Sequence, residues 1–200
     1  MIGGVVHRLL KLPGVWLLVS LAFLCGIFLI FTSLWIKPYM NGQSALVQGE
    51  YDESLENFAR AEQRFQGFQP ASRFFPDAYA ATYANQFYIL YQRGEYDALL
   101  EKAASSPALA PVHYWTGCAL FRRASQVTEV QEQIAWLERA AEEFHSVLEL
   151  EPANWDAKYN YELSKRLIDE LKDEEETPPQ ILELLIPRPR QGEQPFQQTG

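Results

Sequence analysis

The chain has 200 residues, 48% of them hydrophobic and 14% aromatic, and a formal net charge of −9. Such a composition excludes a disordered polyelectrolyte and supplies enough apolar material for a packed domain with accessories. The acidic surplus repels phosphate backbones, which excludes nucleic acid as a partner class. The two cysteines, Cys25 and Cys118, stand far apart and the first lies in an apolar run, so no disulfide can staple a domain and apolar packing must hold the fold.

The first feature in chain order is LPGVWLLVSLAFLCGIFLIFTSLWI, residues 12–36, which contains no charged side chain. At about 1.5 Å of rise per residue, about 20 helical residues cross a bilayer core, so the run predicts a transmembrane helix over 12–36. It is longer than the apolar region of a cleaved signal peptide, and no small-residue cleavage site follows it. Leu24 also occupies the place before Cys25 where lipoprotein processing needs a small residue. The run therefore reads as an uncleaved anchor, with Trp16, Trp35 and Tyr39 near its ends, where amphipathic rings favour the interface. Arg8 and Lys11 precede it, whereas Lys37 is the only basic residue after it until Arg60. That bias places residues 1–11 in the cytoplasm and the rest outside, which in a Gram-negative cell means an inner-membrane anchor and a periplasmic domain. The outer part carries 14 basic against 26 acidic residues.

From residue 37 to 171 the pattern is helical, with apolar or small residues returning every third or fourth place, as at Leu55, Phe58, Ala61 and Phe65. Breaks are predicted at Gly49, over 67–76, at Gly94, over 107–111 and over 151–154. The fold class is thus all-α, an array of helical hairpins behind the anchor. GEYD occurs at 49–52 and again at 94–97, each time as the turn of such a hairpin. In the first unit Gly42 is the small residue of the first helix, and Ser54, Phe58 and Ala61 follow on the second. The second unit has Tyr83, Phe87 and Leu90 before its turn and a short, degenerate second helix before Pro107. The third opens at HYWTGCALFRRA around Gly117 and closes at RAAEEFHSVLELEPAN, with Ala140, Phe144, Val147 and Pro152, the stretch SQVTEVQEQIAW between them being expected as a long connection. A small residue lets the two helices approach and the aromatic residue fills the gap. A last helix from Trp155 to Leu171 is expected to cap the array. Residues 172–200, rich in acidic residues, proline and glutamine, are expected to form a flexible tail in which ILELLI at 181–186 is the one segment able to dock.

This spacing resembles the tetratricopeptide repeat, a helix-turn-helix unit of about 34 residues that stacks into an α-solenoid. A narrower resemblance lies in FPDAYAATYANQFYILYQRGEYDALL, HYWTGCALF and EFHSVLELEPANWDAKYNYELSKRL. Together with the anchor they resemble the MxaK-like single-pass repeat proteins encoded beside MoxR-type AAA+ ATPases and von Willebrand factor A proteins. WDAKYNYEL resembles that group's W-D-A-R-Y-N-L-E signature, whereas the group's Asn-Leu-Gly-Asn in the third unit reads Trp115-Thr116-Gly117-Cys118 here. The resemblance implies a scaffold in a maturation or metal-insertion assembly with von Willebrand factor A proteins and a MoxR-type ATPase as partners, docking through Trp155 and Tyr159. The alternative is a stand-alone chaperone- or translocon-associated repeat factor in the envelope. The basic carboxylate clamp of chaperone-binding repeats is not matched, since its places carry Ala, Tyr and Cys.

No chemistry-bearing motif competes with binding. His7, His113 and His145 are scattered without ligand spacing, acidic pairs such as Glu142-Glu143 read as solvated helix faces, and Cys118 reads as a small apolar filler. There is no glycine-rich phosphate loop and no G-x-S-x-G, so the expectation is a non-enzyme without metal or cofactor. Stacked hairpins form a groove lined by first-helix residues, which points to Tyr88, Tyr91, Tyr114, Phe121 and Arg122 as binding residues, aromatic and arginine side chains being favoured anchors.

Overall fold

The computed structural model describes residues 13–173, so the expectations for residues 1–11, for the tail and for the 181–186 segment lie outside the described residues. Every regular element among the described residues is an α-helix: α1 (Pro13–Val47), α2 (Tyr51–Gly67), α3 (Ala71–Phe74), α4 (Pro76–Gln92), α5 (Tyr96–Ser105), α6 (Ala110–Ala124), α7 (Val130–Leu150) and α8 (Trp155–Asp173). Helices α1–α2, α4–α5 and α6–α7 form three successive hairpins, and α8 packs on α7 at the end of the array. The remaining contacts link neighbours, with α2 and α6 both packing on α4 and α5 on α6.

The two GEYD turns are built identically. Gly49 and Gly94 adopt φ of +78° and +72°, the left-handed region that favours glycine. At the first, Gly49 N–H donates to the Leu46 carbonyl (3.0 Å) and Glu50 N–H to the Ala45 carbonyl (2.9 Å). At the second, Gly94 and Glu95 repeat the pair with Tyr91 and Leu90, at the same two distances. Both are Schellman endings that satisfy carbonyls otherwise orphaned at a helix C-terminus. The repeated aspartate also has a role. Asp52 meets Arg93 at 2.6 Å and Asp97 meets Arg123 at 2.9 Å, so each turn is pinned to the end of the next hairpin's first helix. Both carboxylates are largely exposed, and such pairs fix register more than they stabilise.

Within the first and third hairpins the helices approach so closely that a methyl group would not fit. A Cβ on Gly42 would lie 2.9 Å from the Phe58 ring, and one on Gly117 2.8 Å from Phe144. Phe58 and Phe144 are both fully buried. Ser54 Oγ reinforces the first hairpin by donating to the Gly42 carbonyl at 2.9 Å. Three core clusters result among the described residues: one over α1 to α4, a larger one over α4 to α8, and a small one of Ala110, Val147 and Ala157, with Tyr79 and Tyr88 packed against the first two.

Three features go beyond or against the expectations. First, helix α1 runs unbroken across the 36/37 boundary, from the apolar run into the first hairpin. Pro38 removes the N–H that would serve the Leu34 carbonyl. Arg64 of α2 replaces it, its Nη1 donating to the carbonyls of Leu34 (2.7 Å) and Trp35 (2.6 Å). Second, Trp35 and Tyr39 are turned to the domain and not to a lipid belt. Trp35 meets Phe65 edge-on at 4.9 Å between centroids and stacks on Phe75 at 5.9 Å, while Tyr39 sits 6.1 Å from Phe58. Third, the connection inside the last hairpin is short. Glu129 caps α7 by accepting from the N–H groups of Gln131 (3.1 Å) and Glu132 (2.6 Å), so the residues from Val130 to Trp136 are already helical.

Candidate protein-binding surfaces

Helix α4 carries Tyr88 and Tyr91 one turn apart on a single face, and α6 brings Tyr114 and Trp115 against them. Trp115 is the hub: its ring centroid lies 5.5 Å from Tyr88, 5.2 Å from Tyr91 and 5.4 Å from Tyr114. Arg122, half-buried, donates from Nε to the Tyr91 hydroxyl at 3.3 Å. The structure therefore gathers Tyr88, Tyr91, Tyr114 and Arg122 into one cluster, but not as an open groove. Tyr91 is 6% exposed and Phe121 fully buried, so these two are packing residues and their expected place on a binding surface is corrected. Tyr88 and Tyr114 are half-buried. Burial pushes the Tyr91 phenol up to about 12, against the favourable hydrogen bond from Arg122. Trp115, which the spacing argument did not single out, organises the cluster; three consecutive large residues in HYW were its only sequence signal.

Trp155 and Tyr159 lie apart from this cluster, on the first turns of α8. They are four residues apart and share a face, 72% and 61% exposed, while Ala157, Asn160, Leu163 and Ser164 of the same helix are buried. Lys158 Nζ sits 5.1 Å from the Trp155 ring centroid, within cation–π range. Asn154 holds the start of the helix by accepting from the Ala157 N–H at 3.0 Å, which fixes the position of both rings. Leu150, at the end of α7, is also half exposed. Large exposed rings on a rigid helix are efficient interface anchors because little side-chain entropy is lost on docking.

Several polar groups of the interior are tied to one another, although Asn85 Nδ2 and Gln133 Oε1 are buried without a hydrogen-bond partner. Glu62 accepts from Lys102 Nζ (2.8 Å), Gln86 Nε2 (3.0 Å) and Gln66 Nε2 (3.1 Å), which ties α2, α4 and α5. His113 Nδ1 and Glu143 Oε2 are 2.7 Å apart across the α6–α7 hairpin. Cys118 is fully buried, and burial pushes its thiol well up from the usual range. Among the described residues no group of three or more His, Cys, Asp or Glu converges as a metal site would. A cavity of about 460 Å³ opens where α2 meets α4, with Phe65, Gln66, Gln69, Ser72, Arg73 and Tyr79 around it.

No protein-family model, curated protein or solved structure matches this chain.

Proposed function

We propose that this chain is a membrane-anchored, non-catalytic scaffold whose helical hairpins are tetratricopeptide-like repeats and whose last helix presents Trp155 and Tyr159 to a partner protein. The repeat reading is supported by the two close glycine–phenylalanine approaches and by the twice-used Schellman turn, the features the family's spacing exists to produce. Anchoring is supported by the exposure of α1: from Trp16 to Leu34 the large apolar side chains are about half or more exposed and the fold offers nothing to cover them. Placing residues 1–11 in the cytoplasm and the array in the periplasm rests on Arg8 and Lys11 before the span. The proposed partners are von Willebrand factor A domain proteins working with a MoxR-type ATPase, which rests on the resemblance of WDAKYNYEL to the closing signature of that group.

The observation that carries the binding reading is the exposed Trp155–Tyr159 pair, apolar surface that the described fold leaves uncovered at the far end of the array. Crosslinking in native membranes followed by mass spectrometry tests it. Replacing Trp155 and Tyr159 together with alanine is expected to abolish recovery of the main crosslinked protein while the thermal melt stays unchanged. Undiminished recovery would remove α8 as the docking site, and a partner with neither a von Willebrand A domain nor an AAA+ module would remove the proposed assembly.

A further inference from the structure

The α2–α4 corner, residues 67–76, is rich in exposed aromatic surface. Phe68 is 52% and Phe74 72% exposed, and among the described residues outside the apolar run no other phenylalanine is exposed to this degree. The height of this corner relative to the bilayer follows from the antiparallel register of α1 and α2. Ser54 meets Gly42, Phe58 meets Tyr39, and Arg64 and Phe65 meet Leu34 and Trp35, so each step forward along α2 is a step back towards the span. Phe68 lies one turn beyond Arg64, roughly 6 Å further on, which is the level of Ile30 and Phe31, both about 60% exposed within the apolar run. The chain then climbs about one turn back towards the outside, because Phe75 stacks on Trp35, so residues 67–76 occupy the zone between those two levels. Trp16 to Ile36 covers about 30 Å of helix, the thickness of a hydrocarbon core, so its outer edge falls near Trp35 and Ile36.

Provided that α1 spans the bilayer as proposed above, helix α2 is thus too long to stop at the membrane surface. We propose that the 67–76 corner is a second membrane contact, with Phe68 and Phe74 inserted into the interfacial layer of the bilayer that α1 crosses. Aromatic rings favour that layer, and the composition of the corner suits it. Arg73 and the polar rim of the adjoining cavity, Gln66, Gln69 and Ser72, lie among the inserted rings at headgroup depth, where a guanidinium is well solvated by phosphates. Arg64 is turned back on α1 at the same level, its Nη1 donating to the two α1 carbonyls. The array is then held to the membrane at two points and not by a single stalk.

Single nitroxide labels on the full chain in phosphatidylcholine–phosphatidylglycerol nanodiscs test this. Cys25 is replaced by alanine, and Cys118 is buried and does not label. Cysteines are placed at Phe68 and Phe74, with Phe28 as the lipid reference and Glu56, three turns earlier on α2, as the water reference. The accessibility to oxygen relative to a water-soluble nickel complex is expected to shift at both 68 and 74 away from the Glu56 value towards that of Phe28. Glu56-like values at either position, with Phe28 reading as lipid, overturn the second contact and leave the anchor standing. A water-like Phe28 overturns the anchor and this inference with it. Both phenylalanines are exposed, so the labels leave the core packing intact, which the helical circular dichroism of each variant checks.

Discussion

Gly117→Ala adds one methyl group to the middle of α6, and its consequence can be worked out from the hairpin contact. The new Cβ would stand 2.8 Å from Phe144 Cε1 and 3.0 Å from both Cδ1 and Cζ, well inside normal carbon–carbon separation. Phe144 is fully buried and touches Tyr114, so its ring has no free volume into which to retreat. Overpacking of this kind costs about 1–3 kcal/mol. Alanine recovers about 1 kcal/mol of helix propensity relative to glycine. The net destabilisation expected is about 1 kcal/mol and at most about 2 kcal/mol, or a central fall in Tm of roughly 2–4 °C for a domain of this size. The assay is thermal unfolding of the detergent-solubilised chain followed by circular dichroism. Gly67→Ala, where nothing lies within 4 Å of the new Cβ, serves as the neutral control. The double variant Gly117→Ala/Phe144→Leu should lose less than the sum of its parts, because the smaller side chain vacates the space the methyl group needs. If Gly117→Ala melts at or above the wild-type temperature, close approach is not what the glycine provides and the hairpin argument fails.

Gly49→Ala and Gly94→Ala are each expected to cost about 1 kcal/mol for a different reason, backbone strain at positive φ, and asparagine at either place should lose less in the same melts. Arg64→Ala should destabilise by about 1 kcal/mol by stripping the Leu34 and Trp35 carbonyls, and the loss should shrink in a Pro38→Ala background, where Leu34 regains a backbone donor; equal losses in both backgrounds would refute the capping role. Raising the pH should erode stability. Tyr91 titrates at about 12 in the fold against an ordinary 10, and Tyr83 and Cys118 are displaced upwards by burial too. A folded pKa above the unfolded one means that the contribution is complete below the unfolded value, so Tm should hold to about pH 9 and fall as pH climbs towards 12. A flat Tm across that interval would contradict the burial of these groups.

The hairpin turns and the glycine–aromatic pairs were legible in the sequence because each depends on two or three residues at fixed local spacing. Gly49 and Gly94 announce a left-handed ending, and Gly42 and Gly117 a close approach, whatever surrounds them. The start of α7 was not legible, since its cap is Glu129 and not one of the short polar residues that usually mark a helix start. Nor was the bridge over Pro38, because Arg64, which serves the Leu34 carbonyl left without a backbone donor, belongs to another helix. The binding residues divide in the same way. Helical periodicity assigns Tyr91 and Phe121 to a face of α4 or α6 but does not say which neighbour covers that face, and here Trp115 and the α7 side of the core do. Trp155 and Tyr159 were named from the resemblance of WDAKYNYEL and not from periodicity, and both are exposed among the described residues.

The unbroken helix α1 also bears on how the proposed scaffold would meet a partner. A domain on a flexible tether sweeps a hemisphere above the membrane and samples many orientations, its reach set by linker length. Here there is no linker. Pro38, the one residue that could act as a hinge, is buried and bridged by Arg64, so the span and the first hairpin tilt as one body. In a bilayer the Trp155–Tyr159 face is consequently carried at a fixed height and a fixed bearing relative to the span. A partner in the same membrane, as proposed, would be met by lateral diffusion and rotation about a single axis, a two-dimensional search in which helix geometry has already made most of the orientational selection.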